Sequence, residues 1–197
     1  MSKGAALRIA VVGASSLIGA AVIDELRARK MPFAELHALD DERNVGRAVT
    51  DDEGAPNTLP VGDVAGFDFS RVDLVFFCGR SMLSERYAEA AAEHAWVIDG
   101  SAAFRTRADV PLVAADVNAA ALDAVGARGL IALPGSISVA LCTVLAPLHA
   151  LAGLERAVNV ADAADLLQRS MGVSLIDAES SAQFPTPATL ATAPDRV

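Results

Sequence analysis

Cysteine, histidine and aromatic residues are all scarce in this chain of 197 residues: 2 Cys, 3 His, 1 Trp, 1 Tyr and 7 Phe. Cys78 and Cys142 form no CxxC and stand in no cluster with His37, His94 or His149. Neither a disulfide framework nor a zinc site is therefore expected, and a reducing cytoplasm suits the chain. Basic runs are absent as well, since 16 basic residues face 25 acidic ones for a net charge of -9. That balance argues against nucleic acid or an anionic membrane as partner. Nor does the start read as an export signal, because Gly13 opens a turn where a small-residue cleavage site would stand. What is plentiful is apolar material, at 53% of residues, enough for a sizeable core.

Gly129 to Leu154 lacks any charge and is long enough to cross a bilayer. Pro134, Gly135, Pro147 and the hydroxyls of Ser136, Ser138 and Thr143 divide it. A buried strand, a turn and a buried helix are expected there instead of a membrane span. Elsewhere strands and helices alternate. Leu7 to Val12 is a β-branched apolar run, Leu17 to Lys30 has helical spacing, and Phe33 to Leu39 reads as a strand closed by Asp40, Asp41 and Glu42. Arg43 to Ser70 reads as loop with an edge hairpin from Ala48 to Thr50 and Thr58 to Val61.

Val72 to Phe77, Trp96 to Ile98, Pro111 to Ala114 and Leu130 to Leu133 read as further strands. Ser81 to His94 and Val117 to Val125 read as helices between them. The alternation predicts an α/β fold with a doubly wound, mostly parallel sheet of Rossmann type over residues 1–133. Residues 134–197 behave differently: strands at Ala157 to Val160 and Val173 to Ile176, a helix at Asp162 to Arg169, and an irregular tail from Ala178.

The strongest chemical signal is Gly13-Ala14-Ser15-Ser16-Leu17-Ile18-Gly19 between strand and helix, with Asp40 at the end of the next strand. Gly13 allows a tight turn, Gly19 lets the helix approach the sheet, and N–H groups at the helix start suit a pyrophosphate. Ser16 stands where the middle glycine of such motifs lies. Its Cβ is expected to hinder the phosphates, so Ser16→Gly should tighten binding. Asp40 suits a ribose 2′-OH and Arg43 a 2′-phosphate. Three carboxylates beside one guanidinium tilt the expectation from NADP toward NAD.

Three stretches, GASSLIG, the run FFCGRSMLSERYAEAAAEHAWVIDGSAAFRTRADVPLVAADVN and IALPGSISVALCTVLAPLH, resemble aspartate-semialdehyde dehydrogenase from about Arg8 to Leu151. They are also similar to its cysteine-less, Usg-type paralogues. The resemblance implies a homodimer that reduces aspartyl phosphate to aspartate semialdehyde with a nicotinamide cofactor in amino-acid biosynthesis. It implies that Gly13 to Gly19 form the cofactor turn, that Arg43 meets the 2′-phosphate, and that Cys78 and Gly79 wall the nicotinamide side. It also assigns Arg105 to the substrate phosphate, a role its planar fork suits; Arg107, two residues on, competes for it.

Two departures from the family stand out. Where the family has asparagine-cysteine, this chain has Gly135-Ser136. Serine is barely ionised at neutral pH, and no basic residue lies near Ser136 in sequence to activate it. Little or no dehydrogenase activity is the expectation. The alternatives are altered chemistry at Ser136 or Cys78, and a non-enzymatic dimerisation module built on Gly129 to Leu154. Cys142 reads as a core residue, and His149 as a satisfied core or helix-end histidine. The second departure is an apparent jump near residues 155–159 over the family's large substrate and dimerisation domain, leaving a truncated α+β remnant.

Overall fold

The computed structural model describes residues 6–49, 59–125, 129–153, 156–157 and 174–175. The chain divides into two compact units, Met1–Gly135 and Ser136–Val197. In the first, β1 (Leu7–Val12) leads through a turn to α1 (Leu17–Ala28) and β2 (Phe33–Asp40). A short hairpin follows, β3 (Ala48–Val49) antiparallel to β4 (Leu59–Asp63). Then come β5 (Leu74–Phe77), α2 (Ser81–Ala92), β6 (Trp96–Asp99), α3 (Ala115–Asn118) and β7 (Gly129–Ala132). The seven strands run in the order β3-β4-β2-β1-β5-β6-β7, and every pair except the hairpin is parallel.

This order explains the run of apolar residues in β1, which has a strand on each side and a layer above and below. Ile9, Ala10, Val11 and Val12 are fully buried. Each large side chain so buried contributes roughly 1.5–3 kcal/mol. From β1 the chain first winds one way, to β2 and β4, and then returns to β5 and winds the other way. Right-handed crossovers therefore put α1 and α2 on opposite faces. The reversal between β1 and β5 opens a crevice beyond their carboxyl ends, where ligands of such sheets bind.

Helix α1 ends two residues before the expected Lys30. Its last carbonyls are taken by Lys30 N–H to Arg27 O at 2.9 Å and Met31 N–H to Leu26 O at 3.2 Å. Lys30 adopts φ 51°, the left-handed cap that glycine more often fills. The edge hairpin forms, but β4 also joins β2 in parallel, which enlarges the main sheet.

Two expectations fail between β6 and β7. Pro111 to Ala114 is not a strand: only Leu112 bridges, to Ala132. Pro111 has no N–H to donate to a ladder, and Asn118 ties the segment down instead. Its side chain accepts from Ala114 N–H at 2.8 Å and donates to Leu112 O at 2.9 Å. The expected helix over Val117 to Val125 is split into α3 and a 3-10 helix over Ala119–Ala124.

In the second unit, α4 (Ser136–Ala152) contains Pro147 in its interior and presents Ile137, Val144, Leu148 and Leu151 exposed. These positions share one face at helical spacing. Two short parallel strands, β8 (Arg156–Ala157) and β9 (Ser174–Leu175), are what is seen of the expected later strands. The expected helix from Asp162 to Arg169 and the tail from Ala178 lie outside the described residues. Among the described residues, no helix is long and apolar enough to cross a membrane.

Candidate functional site

The turn after β1 is built by backbone against backbone. Gly13 has φ 79°, and a Cβ on it would stand 2.4 Å from the Cα and N of Gly79. A Cβ on Gly19 would stand 2.2 Å from Gly13 O. No side chain fits at either place, so helix, first turn and the loop after β5 meet at closest approach. The turn is pinned to β2 as well, by Gly13 and Ala14 N–H to Leu39 O at 2.8 and 3.1 Å.

Ser16 has a role beyond the one expected. Its hydroxyl accepts from Gly19 N–H and donates to Cys78 O, both at 2.9 Å. The side chain is thus the N-cap of α1 and at the same time a clasp to the end of β5. Asp40 is only 5% exposed. Its carboxylate accepts from Ser15 N–H at 3.2 Å and from Asp41 N–H at 2.8 Å. Gly13, Ala14, Ser15 and Ser16 N–H are therefore all used within the protein. Leu17 and Ile18, the first two residues of α1, keep N–H groups for which the described residues provide no partner.

Around this turn lie the charges. Asp41 takes a hydrogen bond from Arg80 at 2.6 Å, a pair that joins the loop after β2 to the loop after β5. Arg43 is exposed in a 3-10 helix over Glu42–Asn44. It borders a cavity of about 360 Å³ whose other walls include Asp63 at the end of β4, Val64 just after it, and Met82, Arg86 and Tyr87 of α2.

At the carboxyl end of β6, Asp99 is fully buried and was not foreseen. It accepts from the Ser84 hydroxyl at 2.7 Å, the Ser101 hydroxyl at 2.9 Å and Ser101 N–H at 3.1 Å. The signal was present in the sequence: an acid that closes an apolar strand, with serine two residues on. Arg105 donates to Gly100 O at 2.9 Å and Leu133 O at 3.0 Å, which anchors it across the ends of β6 and β7. Arg107 is engaged otherwise. Glu89 and Asp109 both hold its guanidinium and raise its pKa, so it belongs to a surface ion cluster.

Both thiols are buried. Cys78 is 9% exposed and sits in the apolar cluster with Val11, Ile23 and Val61. Burial, helped by the negative charge of Asp99, pushes its thiol up to about 12. Burial weighs against reactive chemistry at Cys78, whose carbonyl supports the turn instead. Cys142 is buried and its thiol is likewise raised by burial. Ser136 is exposed as the first residue of α4. His149 lies 13 residues further along the same helix, on the order of 20 Å away at 1.5 Å per residue. Among the described residues its Nδ1 is buried without a hydrogen-bond partner, where a satisfied histidine was expected. Among the described residues, no group of three or more metal-ligating side chains comes together.

The family profile described as "Semialdehyde dehydrogenase, NAD binding domain" matches residues 8–125. The aspartate-semialdehyde dehydrogenase of Legionella pneumophila is 35% identical over 158 residues, which cover 79% of this chain and 44% of that protein. A USG-1 protein homolog of Pseudomonas aeruginosa is 39% identical over 145 residues, covering 73% of this chain and 42% of that one. Among solved structures, aspartate semialdehyde dehydrogenase II of Vibrio cholerae, complexed with ASA, superposes with a TM-score of 0.70 at 32% identity. That match covers 78% of this chain and 49% of the other. The chain thus spans less than half the length of these relatives.

Proposed function

Because this chain belongs to the semialdehyde dehydrogenase family through its NAD-binding domain, we propose that it binds NAD or NADP at the Gly13–Gly19 turn with little or no dehydrogenase turnover. One observation carries the reading. Backbone fills the space beside Gly13 and Gly19, which keeps the turn tight and α1 close against it, and Leu17 and Ile18 N–H remain as donors at the positive end of α1. The residues fit a dinucleotide: Asp40 lies at the end of β2 where the ribose belongs, and Arg43 stands beyond it. A nicotinamide cofactor would supply hydride transfer when bound.

The family reaction, reduction of aspartyl phosphate to aspartate semialdehyde, needs a thiolate at the position of Ser136. A hydroxyl with no base bonded to it among the described residues is a weak attacker, and burial of the Cys78 thiol argues against its taking that part. Arg105, held across two strand ends, is the residue we assign to a substrate phosphate. The unit from Ser136 is read as a remnant of the catalytic and dimerisation domain. Its uncharged, partly exposed α4 supports self-association into a homodimer in a chain otherwise strongly acidic.

Calorimetric titration of the full chain with NADH and NADPH tests the reading. Saturable binding of at least one is expected, with no turnover of aspartate semialdehyde, phosphate and oxidised cofactor. Failure of both nucleotides to bind refutes nucleotide binding, and turnover of about 1 per second or more refutes the loss of activity.

A further inference from the structure

We infer that the Arg80–Asp41 ion pair is a strap across the dinucleotide crevice, which a ligand must open by drawing the Arg80 guanidinium from the Asp41 carboxylate onto its pyrophosphate. The inference rests on the dinucleotide reading above and goes beyond it, because it makes one ion pair of this chain the element that regulates access to the site.

Strand order places the strap. The two neighbours of β1 are β2 and β5, so the loops that follow them flank the Gly13 turn on opposite sides. Asp41 is the first residue after β2, and Arg80 the third after β5. Their side chains meet at 2.6 Å. A link between these two loops spans the carboxyl end of β1, about 10 Å from side to side at two strand spacings. A dinucleotide in a doubly wound sheet lies across that same end, with its pyrophosphate at the start of the helix after β1. Strap and ligand therefore claim one place.

Both loops are fixed where the strap attaches. A Cβ on Gly13 would stand 2.4 Å from Gly79, so the residue before Arg80 abuts the turn itself. Asp40, next to Asp41, accepts from Ser15 N–H at 3.2 Å. The pair is loose by comparison, since the Arg80 side chain is 62% exposed and makes no cap to α2. Exposed pairs of this kind are worth at most about a factor of five, little enough for a charged ligand to displace. The turn also gains from Arg80. Gly13, Ala14, Ser15 and Ser16 N–H are spent within the protein, and a guanidinium arriving beside them offers a charged fork to phosphate oxygens. Asp41, once released, keeps the Asn44 side-chain amide at 3.4 Å.

The test titrates the full chain with NADH and ADP-ribose, which carry the pyrophosphate and lack a 2′-phosphate. It compares the wild type, Asp41→Asn, Arg80→Met, the variant with both changes, and Glu42→Gln. Glu42 is exposed beside Asp41 and takes no part in the strap, so its variant reports loss of charge alone. A closed strap lowers apparent affinity by the fraction that is open. Asp41→Asn leaves Arg80 free and is expected to bind both ligands about three- to fivefold more tightly than wild type, with Glu42→Gln within about twofold. Once Arg80 is methionine, the Asp41→Asn change should give no more than Glu42→Gln gives, because no strap remains. The doubly changed protein should bind about fivefold more weakly than Asp41→Asn, having lost the guanidinium that passes to the pyrophosphate. An Asp41→Asn protein no tighter than wild type, an equal gain with and without Arg80, or a doubly changed protein that matches Asp41→Asn overturns the strap and leaves the dinucleotide reading standing. Failure of every variant to bind either ligand overturns both.

Discussion

Replacing Ser16 by alanine removes two hydrogen bonds at once, one that caps α1 through Gly19 N–H and one that ties the turn to the carbonyl of Cys78. Loss of a serine N-cap costs about 1 kcal/mol, and loss of a part-buried hydroxyl–carbonyl bond about another 1 kcal/mol. The sum, about 2 kcal/mol, lowers the melting temperature of a chain of this size by about 4–8 °C. Trp96, the single tryptophan, lies on β6 of the same sheet, so its fluorescence reports the melting of this unit. Ser16→Gly loses the same hydroxyl and adds backbone freedom at the turn. Both variants are therefore expected to bind nucleotide more weakly than wild type, whereas steric hindrance by the serine Cβ would make the glycine variant bind more tightly. An Ser16→Ala protein that melts with wild type, or a glycine variant of higher affinity, refutes the clasp.

Asp99→Ala leaves two serine hydroxyls and an N–H without their acceptor in a fully buried place. A loss of about 3 kcal/mol in urea unfolding is expected; a change under about 0.5 kcal/mol would show that the network contributes little. Iodoacetamide at pH 8 should leave Cys78 unlabelled in the folded chain and label it after denaturation. With its thiol pushed up to about 12, roughly one part in ten thousand is ionised at that pH; native labelling at the rate of a free thiol contradicts the buried reading. The sign of the accompanying pH effect follows from the raised value. The folded state holds the Cys78 proton more tightly than the unfolded one, so its contribution is whole below the ordinary value of 9.0 and lost as pH rises toward about 12. Urea midpoints should fall across that window in wild type and fall less in Cys78→Ala.

Periodicity along the chain was enough for the sheet and its winding. The run from Leu7 to Val12 could only be a doubly covered strand, and a glycine turn ahead of a helix marks the first crossover in any chain that repeats this alternation. What periodicity misjudged were segments decided by single competitors: Pro111, which cannot join a ladder, and Asn118, whose side chain satisfies the backbone in place of a helix.

The residues of the candidate site fall on both sides of this division. Gly13, Gly19 and Asp40 were legible because their roles depend on neighbours close in sequence or on one βαβ unit. Arg80, Asp99 and the separate fates of Arg105 and Arg107 were not, since each depends on which element arrives opposite it. Ser16 shows the difference within one side chain: the sequence determined that it occupies the glycine position, and only the arrival of the β5 carbonyl turned its hydroxyl into a clasp. Local patterning is governed by chain stereochemistry and apolar burial, which act over a few residues. Charge balance and hydrogen-bond partnership act through space, and space is defined only once the strands have taken their order.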